Sequence, residues 1–78
     1  MNSDILYAIE LNYNGEISYL QHFVDDDTDF ESTEFLEDCG TFQFGKSVLD
    51  RVNYIIDDYN LPCTARLLKV GRTIEVIE

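Results

Sequence analysis

Apolar residues recur at every second position from Asp4 to Asn12 (Ile5, Tyr7, Ile9, Leu11) and again from Glu16 to Val24 (Ile17, Tyr19, Phe23). A period of two is the spacing of side chains on one face of a strand, and Asn14-Gly15 between the runs is a strong turn signal. Together they predict an N-terminal β-hairpin. Its register can be set in two ways. A two-residue Asn-Gly turn pairs Asn12 with Ile17 and puts the two apolar stripes on opposite faces. A three-residue loop, Tyr13-Asn14-Gly15 with Gly15 left-handed, pairs Leu11 with Ile17, Ile9 with Tyr19 and Ile5 with Phe23, giving one apolar face. We expect the second register, which leaves Glu10, Asn12, Ser18, Leu20, His22 and Val24 on the other, half-polar face.

The period changes further on. Val48, Leu49, Val52, Ile55, Ile56 and Tyr59 fall on one stripe of a helix, with Ser47 as expected cap, Asp50 as its capping-box partner and Asn60-Leu61-Pro62 as the stop. Alternation resumes in Thr64 to Val70 and in Thr73 to Ile77. Gly71-Arg72 suits a type II′ turn between them, and a single long strand with a bulge at Gly71 is the alternative. Between hairpin and helix, Thr33 to Asp38 is expected to make one short helical turn ended by Cys39-Gly40, and Thr41 to Phe44 a brief strand. The predicted fold class is α+β: one domain, residues 1–78, with a small antiparallel sheet of N-terminal hairpin and C-terminal strands, and one main helix on one face.

Charge alters the picture. The chain carries 16 acids against five Lys and Arg, a formal net charge of −11, and the imbalance lies wholly on one side. Residues 1–45 hold eleven acids and no Lys or Arg. Eight of those acids stand between Asp25 and Asp38, in DDDTDFESTEFLED. Ten aromatic residues and a good supply of Ile, Leu and Val argue for a folded chain in spite of the charge. Self-repulsion of this size disfavours naked nucleic acid and anionic membranes as partners and favours a cationic one.

The plainest reading of the acidic stretch is a solvated loop. A sharper one is a mimic of nucleic-acid backbone, because alternate residues of an extended segment lie about 6.6 Å apart on one side, which would set Asp25, Asp27, Asp29 and Glu31 in a regular row. Duplex DNA presents about one charge per 1.7 Å of axis to the Lys and Arg of its binders, and a carboxylate row can occupy the same groove. The expected partner-binding residues are Asp25, Asp26, Asp27, Asp29, Glu31, Glu34, Glu37, Asp38, Asp57 and Asp58. Phe30 and Phe35, or Tyr54 beside Asp57 and Asp58, are expected to add apolar contacts there, while Phe30, Phe35 and Leu36 anchor the segment to the core. Asp57 and Asp58 sit in the last helical turn, where the dipole disfavours anions by roughly 0.3–1 kcal/mol each, so local stability does not account for them.

Other chemistry finds little support. Asp25, Asp27 and Asp29 match positions one, three and five of an EF-hand loop, but Phe30 stands where the turn needs Gly and Leu36 where a bidentate Glu is needed. His22 is the only histidine, and its pairing with Cys39 or Cys63 as a nucleophile would require tertiary coincidence. We expect no enzyme activity, no cofactor and no metal. Two cysteines cannot build a disulfide framework, no cleavable leader follows Met1, and no apolar run approaches 18 residues, which points to the cytoplasm, with no membrane partner. Arg66, Lys69 and Arg72 form an expected cationic edge able to meet the acidic half of a second copy, leaving a homodimer open.

This profile of short length, acid on one half, a small α+β frame and no catalytic motif resembles the small acidic inhibitors made by phages and mobile elements: DNA-mimicking anti-restriction and anti-CRISPR proteins, and phage inhibitors of host RNA polymerase. The resemblance is to the class, and no residue role carries over. It implies an inhibitor that blocks the groove of a basic nucleic-acid-binding protein in the host cytoplasm, without contacting nucleic acid itself. The alternative is an adaptor that binds through apolar positions such as Leu20 and Val24, its acids serving solubility.

Overall fold

The computed structural model describes residues 5–70 and 74–76. Five strands form one antiparallel sheet: β1 (Leu6–Tyr13), β2 (Glu16–Val24), β3 (Asp29–Thr33), β4 (Thr64–Val70) and β5 (Ile74–Val76), in the order β3-β2-β1-β4-β5. One helix, α1 (Gly45–Asp58), lies across β1 and β4. The α+β class and the single main helix agree with the sequence pattern. β5 pairs antiparallel with β4 through Val70 and Ile74, which excludes the single long strand, while the Gly71-Arg72 turn falls outside the described residues.

The hairpin takes the register not expected. Asn12 pairs with Ile17 and Tyr13 with Glu16, so Asn14-Gly15 is a two-residue turn. Both residues have positive φ (55° and 97°), as a type I′ turn requires. The Asn12 side chain accepts the Gly15 N–H at 2.7 Å. Leu11 then faces Ser18, and by alternation Leu20 joins Ile9 and Leu11 in the buried core. Ile17 turns to the other face and stays 41% exposed.

A bulge re-phases the end of β2, while Ile17 and Tyr19 remain on the face opposite Ile9 and Leu11. Leu20 pairs with Ser32 but His22 pairs with Glu31, leaving Gln21 as the extra residue. The bulge shifts the phase of β2, so Phe23 packs against the same core as Leu20. Leu20 is therefore fully buried and cannot serve an adaptor surface.

Beyond Glu10 and Tyr19 the β1–β2 pairing stops, and the segment leading to α1 fills the gap. Gly40 donates its N–H to the Leu20 carbonyl at 2.9 Å, and Tyr7 and Phe42 exchange both backbone hydrogen bonds at 2.8 Å. The expected strand at Thr41 to Phe44 is thus a single bridge. A Cβ at Gly40 would collide with the Gln21 carbonyl, so only glycine passes here. The Phe42 ring lies 6.5 Å from that of Phe23, which closes the core at this end.

The helix starts before its expected cap. Gly45 is its first residue, Phe44 stands at the N-cap, and no side chain caps it. Ser47 lies inside the first turn because Gly45 is buried where the helix meets the sheet. A Cβ there would sit 2.5 Å from Tyr7 Cγ and 2.9 Å from Leu67 Cδ1. Leu49, Val52 and Ile55 are buried, with Val48 and Ile56 packed beside them. Tyr59 departs from the expected stripe: it is the C-cap and is exposed. The stop is a Schellman motif. Left-handed Asn60 (φ 54°) donates to the Asp57 carbonyl and Leu61 to the Ile56 carbonyl at 2.9 Å.

These close approaches have a measurable consequence. Gly45→Ala is expected to cost about 1–3 kcal/mol, the usual range for overpacking, and to lower the thermal midpoint by several degrees. Gly15→Ala adds a methyl in open space and should lose only the roughly 1–2 kcal/mol of a strained φ. Urea denaturation of both variants checks the order, with Gly45→Ala the worse whenever packing governs this end.

Candidate partner-binding surface

The acidic stretch folds into a tight turn, a strand and a 3-10 turn, not one extended row. Asp25, Asp26 and Asp27 all have left-handed φ (52°, 57° and 66°), a conformation that aspartate tolerates better than most residues. Thr28 closes the turn, its N–H and Oγ1 both donating to the Asp25 carbonyl at 3.1 and 2.6 Å. In a helical turn successive side chains point about 100° apart, so the three carboxylates fan around a tip. The regular spacing expected for Asp25, Asp27, Asp29 and Glu31 survives only for Asp29 and Glu31, which lie on β3.

Each remaining member has a definite place. Asp29 accepts the Phe30 N–H at 2.8 Å. Glu31 meets His22 Nε2 at 3.0 Å in an exposed pair. Phe30 packs against the core and is an anchor rather than a contact residue. Phe35 is 51% exposed and is no anchor, although its N–H is held by Thr33 Oγ1 at 3.2 Å. Glu37 and Asp38 ride on a 3-10 turn, Leu36–Asp38, the short helical turn expected there. Its half-buried Leu36 lines a cavity with Cys39, Thr41 and Val70. Val70 alternates with buried Leu67 along β4, so this cavity lies on the face away from α1.

Topology divides the acids between two ends. The Asp25–Thr28 turn follows the end of β2, beside the start of β1, whereas Asp57 and Asp58 end α1, whose connection returns to Thr64 opposite Asn12. The fold therefore does not gather all ten expected carboxylates into one surface. Glu34, Glu37 and Asp38 follow β3 in sequence, and with β3 and the Asp25–Asp27 tip they form the denser group.

The cationic edge is not assembled either. Arg66 Nε lies 2.7 Å from Glu10 Oε1, Lys69 is on the opposite face of β4 by alternation, and Arg72 lies outside the described residues. Among the described residues no three His, Cys, Asp or Glu side chains converge as a metal site would need. No helix among them is long and apolar enough to cross a membrane.

Sequence reasoning missed Phe44, which is 72% exposed. Its alternation with Phe42 disguised it, since the inner ring of the pair is Phe42. With Tyr7, Gly45 and Leu67 it lines a shallow groove at the start of α1, at the same end of the sheet as the Asp25–Asp27 tip. Tyr54, expected as a contact beside Asp57 and Asp58, is exposed, with the Arg51 guanidinium 5.9 Å from its ring centroid.

Both thiols are free. Burial pushes the Cys63 and Cys39 thiols above their ordinary range, and burial with neighbouring Cys63 pushes the Tyr13 phenol up. No family model matches the chain, and no curated protein or solved structure matches it significantly.

The thiol and phenol shifts give a pH dependence with a definite sign. A group whose folded pKa is raised holds its proton more tightly in the native state, so its stabilisation is complete below the unfolded pKa and is lost as pH rises through the folded one. Stability should thus decline as pH rises past about 8.5, the pKa of an unperturbed thiol. Cys63→Ala should flatten part of that decline. Urea midpoints measured at pH 7, 9 and 10 test it, and an unchanged slope in the variant would remove Cys63 from the account.

Proposed function

We propose that this protein is a non-enzymatic acidic inhibitor that occupies the basic nucleic-acid-binding groove of a partner protein and competes with nucleic acid for it. A role in anti-defence or host takeover, of the kind the small acidic inhibitors of phages and mobile elements play, goes with that reading. The observation that carries it is the charge split: eleven acids and no Lys or Arg in residues 1–45. Seven of the eight acids from Asp25 to Asp38 stand on a hairpin tip, an edge strand and a 3-10 turn, and Glu34 lies between the last two.

Charge excess supports the reading where regular spacing does not. A net charge of −11 on a body 39 Å long amounts to roughly one charge per 3.5 Å, about half the density of duplex DNA at one per 1.7 Å of axis. Lys and Arg side chains that neutralise phosphates can bend to carboxylates at irregular positions, because their stems are long and flexible. Exposed aromatics next to the acids supply the desolvated contacts that charge alone does not. Phe35 follows Glu34 directly, and Phe44 shares its end of the sheet with the Asp25–Asp27 tip.

The competition is testable on basic DNA- and RNA-binding proteins with labelled duplex as the displaced ligand. The protein should displace duplex stoichiometrically, and its affinity should fall at least about tenfold between roughly 50 and 200 mM salt. Reversal of Asp25, Asp26, Asp27 and Asp29 to Lys should abolish displacement while far-ultraviolet circular dichroism stays unchanged. Displacement that survives the reversal in a folded variant would sink the proposal.

A further inference from the structure

The free edge of β3 invites a more specific statement, which rests on the preceding reading because it names how the cationic partner engages the acidic surface. β3 is the terminal strand of the sheet, and no strand among the described residues pairs with its outer side. A terminal strand carries a row of unspent backbone donors and acceptors, and proteins normally blunt such an edge with Lys, Pro, a bulge or a covering element. Here the bulge sits on β2, β3 has neither Lys nor Pro, and the blunting residues are acids.

The Phe30 N–H shows how that works. A strand N–H that bonds a side chain of its own strand is not spent on the ladder, so the 2.8 Å bond to the Asp29 carboxylate places this donor on the outer side. By alternation the Ser32 N–H shares that side, and Ser32 is exposed. Asp29 and Glu31 are both exposed along the strand, with Asp25–Asp27 before it and Glu34 after it. A second copy pairing through this edge would set like charges opposite one another, which is destabilising. A strand bearing Lys or Arg at alternate positions meets the reverse situation: its cations draw the Asp29 carboxylate away, freeing the Phe30 N–H for pairing.

We propose that the β3 edge accepts an extended, cationic segment of the partner as an added antiparallel or parallel strand, its backbone pairing with Phe30 and Ser32 and its alternate Lys or Arg side chains meeting Asp29 and Glu31. This is strand addition, in which main-chain bonds supply affinity and alternate side chains supply selectivity.

The test uses the full chain, isotopically labelled, and a short synthetic peptide of alternating lysine and valine. A twin peptide carries N-methyl groups on its valines and keeps the same charge. The expected result is amide shift changes concentrated on Asp29–Thr33, slowed hydrogen exchange at Phe30 and Ser32, and about tenfold or more weaker binding of the methylated twin. Ser32→Pro should weaken the unmodified peptide similarly, since proline is tolerated where an edge N–H faces solvent. Equal affinity for the two peptides, or shifts centred on the Asp25–Asp27 tip, would overturn strand addition, and duplex displacement would then still stand on charge alone. Loss of duplex displacement with strand addition intact would overturn the inhibitor reading instead.

Discussion

The paired backbone hydrogen bonds between Tyr7 and Phe42 hold the architecture together. They satisfy the part of β1 that β2 abandons after Glu10 and Tyr19, and a buried strand cannot leave such groups unpaired without a cost of about 1–3 kcal/mol each. They also fix where α1 begins. Once Phe42 is seated, only two residues separate it from Gly45, whose missing side chain lets the helix start directly on Tyr7 and Leu67. Helix start, glycine contacts and the position of Phe23 thus follow from one contact between residues distant in sequence.

That dependence explains which features the sequence disclosed. The stretches whose structure follows from local periodicity are the ones that match: β1, β4, the buried Leu49-Val52-Ile55 stripe of α1 and its Asn60-Leu61 stop. Gln21 gives no local warning of a bulge, being neither Gly nor Pro, because the bulge exists to bring Phe23 back to Leu20's face of the sheet. The register followed the same logic. The two apolar stripes do not share one face: with the two-residue turn Ile17 and Tyr19 lie on the face opposite Ile9 and Leu11, Leu20 takes the core position, and the bulge returns only Phe23. Ser47 has the chemistry of a cap, and packing at Gly45 overrides it.

The candidate surface was legible in composition and illegible in geometry. An acid-rich run with no cation is visible in any reading of residues 25–38, yet three left-handed aspartates in succession do not follow from it. Extended and turned segments have the same composition, and the choice depends on β3 having to return along β2. Phe30 and Phe35 looked equivalent for the same reason. Only the pairing of β3 with β2 decides that Phe30 faces Phe23 and that Phe35, beyond the strand, is left outside.

Charge and edge then bear on one another. A protein with net charge −11 gives up some stability to self-repulsion, and the fold places its densest acid where that repulsion has a second effect, on the strand most able to pair with another chain. Cations at the same positions would guard the edge equally well against neutral strands, so protection alone does not select the sign. Acid does more than cation could in this chain: it sets the edge against further copies of the same acidic protein, and it leaves cationic segments as the one class of strand whose approach relieves the local repulsion. On the strand-addition proposal the same carboxylates would disfavour this edge pairing with another copy and favour a cationic segment.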